Sequence, residues 1–204
     1  MSAKRAPYEI RPIDEAVGLY LSDLHVFVRR ARECLTKLET VAAEVKQKWP
    51  VPLDQTLNHA KKNYPDLEAL GFERDLLSDS VLIFSAMAVE GFLNYYGVVR
   101  MGETEFTRHF ERLGIAAKLR AVLLFCDSIR LADDDPLITA ASKLAQNRNA
   151  LVHPKTTELT SYLPAESRGG LLIPEAAQEA VAAMDTFFKE FEVAVPKAKH
   201  LIPC

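Results

Sequence analysis

The stretch DPLITAASKLAQNRNALVHPK, Asp135 to Lys155, decides the fold class. Pro136 suits the first position of a helix, where a missing N–H is no loss, and Asp135 before it can cap the free amides. Leu137, Ala141, Leu144, Arg148 and Leu151 recur at alternating steps of four and three, the spacing of one helical face. Pro154 disfavours helical geometry at His153, so a helix is expected over 136–153. Arg148 falls in line with the apolar stripe, where a guanidinium needs a partner or an interface. Ser142, Gln146, Asn149 and His153 form a second, polar line beside it.

Upstream, a loop opened by Gly71 is expected to lead into a central helix over 73–99. Leu76, Leu77, Val81, Leu82, Ile83, Phe84, Met87, Ala88, Val89, Phe92 and Leu93 cover nearly its whole circumference. A helix apolar all round is a buried one. Glu90 and Asn94 stand four apart on one of its faces, so the Glu90 carboxylate either pairs with a cation or faces solvent near the helix end. Arg148, from the other apolar stripe, is the partner expected.

The N-terminal arm, with Pro7 and Pro12, precedes a long helix expected over 14–48, with Asp14 as its cap. Val17, Leu21, Leu24, Val28, Ala31, Leu35, Leu38, Ala42 and Val45 form a seam, and Glu33–Lys37 and Glu44–Lys48 are favourable pairs outside it. The seam either packs on its own chain or joins two copies. A short helix is expected over 54–64, stopped by Pro65. A further short helix lies between two glycines in the segment Met101 to Gly114. Arg100, Arg108, His109 and Arg112 mix there with Glu103, Glu105 and Glu111, and indicate a solvated face. An apolar helix follows from Ile115 to Cys126 or Arg130, with Lys118 and Arg120 extending the basic side. Asp133, Asp134 and Asp135 are explained by capping and the helix dipole, without a metal. The long loop after Lys155 ends at Pro174, which starts a last helix over 174–195 with a stripe of Ala177, Val181, Met184, Phe188, Phe191 and Val195. The tail beyond Pro196 is expected to fray.

A chain of 204 residues, 49% of them hydrophobic, fits one α-helical domain spanning 1–204. A net charge of −3 and a pI near 6.0 argue against a broad, non-specific nucleic-acid binder, though not against a local basic site. Cys34, Cys126 and Cys204 make no metal-type spacing. The most apolar run, Val81 to Leu93, is too short to span a bilayer, and a cytoplasmic protein without membrane, metal or cofactor is expected. No Gly-rich phosphate loop, G-x-S-x-G or His pair at metal spacing occurs.

Arg148-Asn149-Ala150-Leu151-Val152-His153 resembles the R-x4-H motif of HEPN domains, and the likeness extends loosely over residues 75–155. The resemblance implies an all-α, HEPN-like helical bundle with, here, a long N-terminal helix. It implies a metal-independent endoribonuclease acting as a homodimer on RNA. Arg148, Asn149 and His153 would be its catalytic residues, Glu90 and Asn94 their support, and Lys155 a substrate contact. His153 would move protons, since an imidazole titrates near neutrality, and Arg148 would bind phosphate oxygens in bidentate fashion. Two copies would supply the two histidines an acid–base pair needs. Some HEPN domains serve instead as non-catalytic nucleotide-binding or assembly modules. A toxin branch carries a Tyr two residues after the His; Lys155 stands there in this chain. A toxin or defence component working with an antitoxin or regulatory protein is the setting implied.

Overall fold

The computed structural model describes residues 10–13, 24–48, 65–152 and 173–203. Among them every regular element is helical, in the order α1 (Leu24–Lys48), α2 (Pro65–Met101), α3 (Glu103–His109), α4 (Ile115–Asp127), α5 (Pro136–Val152) and α6 (Ile173–Ala194), closed by a 3-10 helix (Pro196–Leu201). The all-α class expected from the sequence is what forms. The 14–23 part of the long helix, the short helix over 54–64, His153 and Lys155 lie outside the described residues.

The centre is α2, and the other five α-helices all pack against it. Val81, Ala88, Val89, Phe92, Leu93, Tyr96 and Val99 are sealed from solvent along its second half. Phe92 is the hub of an aromatic cluster, with the Phe191 ring edge-on at 4.8 Å and Phe188 edge-on at 5.5 Å. By length and composition α2 is long and apolar enough to cross a bilayer, which the shorter run 81–93 does not convey. Here its apolar faces lie against α1, α4, α5 and α6.

The start of α2 differs from the sequence expectation. The helix begins at Pro65 and passes straight through Gly71, where a loop was expected. Pro65 opens it because proline suits a first turn, and one helical glycine costs only about 1 kcal/mol against a long packed helix. The extra turns are less covered: Phe72 and Leu76 are exposed, so the apolar circumference is buried only farther along. Of the two ends expected for α4, Cys126 and Arg130, the helix takes the earlier and stops at Asp127. Ser128 takes the left-handed conformation (φ 58°) and its N–H reaches back to Leu123 and Leu124 carbonyls. That stop is the usual place of a glycine, which is absent here, so the end of the apolar pattern at Cys126 marks it and no capping residue does.

The seam of α1 faces its own chain. Leu24, Val28, Ala31 and Leu38 are buried against α2 and α6. On the outside Glu44 pairs with Lys48 at 2.8 Å as expected, but Glu33 is drawn to Arg29 at 3.7 Å rather than to Lys37. The tail does not fray. Ala198 and Leu201 of the 3-10 helix are buried, so apolar contact fixes a segment too short to show a helical stripe.

Two glycines set how closely elements approach. Gly97 lets α2 meet α3, and a Cβ there would fall 2.3 Å from the buried Phe106 ring. Gly102 turns the chain between them with φ 82°, a conformation that costs other residues steric strain.

Candidate functional site

Helix α5 starts as its sequence demands. The Asp135 carboxylate accepts a hydrogen bond from the Leu137 amide at 2.9 Å, and Asp133 pairs with Arg120 at 2.6 Å. Capping and pairing therefore occupy two of the three consecutive aspartates. Leu137, Ala141 and Leu144 are buried, and the same face carries Arg148 one turn later, with 30% of its side chain exposed. Across from it on α2, Glu90 is 26% exposed, and its Oε2 accepts a hydrogen bond from Arg148 Nη1. The solvent-facing alternative for Glu90 is thus set aside, and the guanidinium in the apolar stripe has the partner its position requires.

The third member of the site was misplaced by sequence reasoning. Lys118 does not extend a basic surface; it is 0% exposed beneath the pair. Its Nζ donates to Asn94 Oδ1 at 2.6 Å and lies 3.6 Å from Glu90 Oε1. It also stands 5.9 Å from the centre of the Phe106 ring, within cation–π range. Burial is the largest influence on this ammonium and moves its pKa downward; the Arg148 charge acts the same way, while Glu90 and Glu111 oppose it. The signal was present in the pattern. Ile115, Lys118, Leu119 and Val122 occupy one helical face, so a lysine at that register must enter the core.

Glu90 thus holds two cations from different helices, with Arg148 on one oxygen and Lys118 near the other. Asn94 joins the group through Lys118, which explains why Glu90 and Asn94 sit one turn apart. Asn149 is exposed beside this cluster, next to Arg148 on α5. His153 and Lys155 fall outside the described residues. What the described part can do chemically is present a partly open guanidinium, oriented from behind by a carboxylate, to an anion.

A second buried polar group also differs from the expectation of a solvated face. Arg100, at the end of α2, is sealed in by Asp127, to which its Nη1 donates, by the Tyr96 hydroxyl at 2.6 Å and by the Cys126 carbonyl at 2.6 Å. Its Nε donates to the Arg11 carbonyl at 3.0 Å, and the Arg11 amide donates to the Arg100 carbonyl at 2.8 Å. This double link ties the segment 10–13 to the bundle. Burial, more than any nearby charge, pushes the Tyr96 phenol up and the Cys126 thiol up to about 12, so both stay neutral and Cys126 is a packing thiol. No family model, curated protein or solved structure matches this chain.

Proposed function

We propose that this chain is a HEPN-type ribonuclease domain that cleaves RNA without a metal, at a site completed when two copies bring two R-x4-H motifs together. The observation that carries the proposal is the Glu90–Arg148 pair. It gives the motif arginine a fixed direction while leaving about a third of its side chain open, as a phosphate-binding group needs. Arg148 would bind phosphate oxygens of the scissile linkage. His153, five residues on, would exchange protons with the 2′-hydroxyl or the leaving 5′-oxygen, and its counterpart in the second copy would do the opposite transfer. The ring would be oriented by Asn149, and Lys155 would contact a neighbouring phosphate. The products would be a 2′,3′-cyclic phosphate and a 5′-hydroxyl. A cytoplasmic setting and a regulatory partner belong to the same proposal.

A non-catalytic helical module is the second reading, and the buried Lys118 favours it. A lysine, a glutamate and an arginine linked across three helices also serve as a purely structural connection.

Labelled structured RNA incubated with the protein in excess EDTA separates the two. The parent is expected to cleave, leaving cyclic-phosphate ends and sparing a 2′-deoxy substrate. His153→Ala and Arg148→Ala are each expected to lose about 10²–10⁴-fold in rate. Cleavage by His153→Ala at the parental rate would overturn the mechanism.

A further inference from the structure

Lys118 poses a charge question that the Glu90–Arg148 pair alone does not. A carboxylate and a guanidinium in direct contact cancel each other, and a cancelled arginine is a poor phosphate ligand. Here the carboxylate is shared. Glu90 Oε1 faces Lys118 Nζ at 3.6 Å while Oε2 accepts from Arg148, so one negative charge lies between two positive ones. With the lysine protonated these three side chains sum to one positive charge, which one phosphodiester anion would balance; Glu111, which also acts on Lys118, is exposed, so solvent screens its charge.

The two cations are not equivalent. Lys118 is fully buried on the inner face of α4, where Asn94 of α2 accepts from its ammonium at 2.6 Å and the Phe106 ring of α3 stands 5.9 Å away. It cannot move toward solvent without leaving a buried cavity and an unpaired Asn94. Arg148 is at the open end of the cluster, with 30% of its side chain exposed. The uncompensated charge is therefore expressed at Arg148, the only one of the two that an external anion can reach.

We infer that Lys118 is a positioning residue for anion binding: by occupying one side of Glu90 it leaves Arg148 with net positive charge for a phosphate group. This rests on Arg148 being the phosphate-binding residue proposed above. Glu90 orients the guanidinium, Lys118 keeps Glu90 from neutralising it, and Asn94 holds Lys118 in register.

The charge arithmetic supplies a test that a structural role does not satisfy. Lys118→Met lowers the cluster by one charge, Glu90→Gln raises it by one, and the double variant restores the parental sum. Affinity is measured by titrating inorganic phosphate against the Arg148 Nε–H resonance, and by fluorescence anisotropy with a short 2′-deoxy oligonucleotide that cannot be cleaved. Lys118→Met is expected to bind about tenfold more weakly than the parent and Glu90→Gln about tenfold more tightly, the scale of one partly screened charge several ångströms away. The double variant is expected to regain what Lys118→Met lost. Circular dichroism checks that each protein is folded. If Lys118→Met alone does not fold, Glu90→Gln is compared with the double variant, where loss of the lysine should again weaken binding about tenfold. Parental affinity in Lys118→Met, or a double variant no better than Lys118→Met, overturns the inference while leaving Arg148 as the phosphate ligand. A parent protein whose phosphate binding is unaffected by Arg148→Ala overturns the inference together with the reading on which it rests. Cleavage that fails while the ordered affinities hold refutes the nuclease chemistry alone.

Discussion

Arg100 shows what a single side chain can join. Its guanidinium spends its donors on Asp127, Tyr96, the Cys126 carbonyl and the Arg11 carbonyl, linking the end of α2, the end of α4 and segment 10–13. The ion pair with Asp127 is about nine-tenths buried on both sides, with 9% and 11% exposure, so water can replace neither partner. Arg100→Met is therefore expected to cost about 3–5 kcal/mol, because it strands the Asp127 carboxylate in a site with little solvent. Urea unfolding measures it; a loss below about 1 kcal/mol would mean that Asp127 finds water or another donor. The more exposed pairs, such as Lys143–Glu179 with 41% and 60% exposure, are in the class that contributes about 0–1 kcal/mol. Burial, not the count of ion pairs, decides which charges matter here.

Two glycines of the same helix make opposite predictions at the scale of elements. Gly71 has open space where a Cβ would go, with nothing within 4 Å. Gly71→Ala is expected to stabilise the protein by about 0.5–1 kcal/mol, since alanine loses less backbone freedom in a helix. At Gly97 the Cβ would meet two Phe106 ring carbons at 2.3 Å, and Phe106 is itself buried and unable to swing away. Gly97→Ala is expected to cost about 1–3 kcal/mol by forcing α2 and α3 apart. Thermal melting of the two variants checks both: opposite shifts of a few degrees are expected. Two rises would show that backbone freedom outweighs packing at both positions, and two falls that a clash outweighs it at both.

For the whole molecule, the decisive contact is between α1 and the central α2. A seam of this regularity also suits an interface between copies, yet Leu24, Val28, Ala31 and Leu38 are buried within one chain. Leu38→Ala is expected to cost about 2–5 kcal/mol as a cavity in the chain's own core. The fall in Tm should be the same at low and high protein concentration, as light scattering alongside calorimetry would show. A loss that shrinks as concentration rises would place the seam between copies instead. With the seam buried within one chain, any pairing of two chains would have to use other surfaces, such as the exposed end of α5 around Asn149, Ala150 and Val152.

Periodicity determined a great deal. Apolar steps of three and four located the four long helices to within a few residues at most described ends, and the all-round apolarity of residues 76–93 marked the helix at the centre. The same stripe marked Arg148 as a cation in need of a partner or an interface, and Glu90 as a carboxylate that either pairs or faces solvent; the packing of α5 on α2 decides for the pair. What periodicity could not say is what lies opposite. Lys118 and Arg100 occupy buried registers of their own helices, but a register does not name a partner, and only the packing of α4 and of segment 10–13 against α2 brings Asn94 and Glu90 to the one and Asp127 and the Arg11 carbonyl to the other. The left-handed stop at Ser128 and the anchored tail have the same origin. Local sequence carries the energy of a turn or a face; the burial of a charge or of a short segment depends on surfaces that meet only when distant parts of the chain pack together.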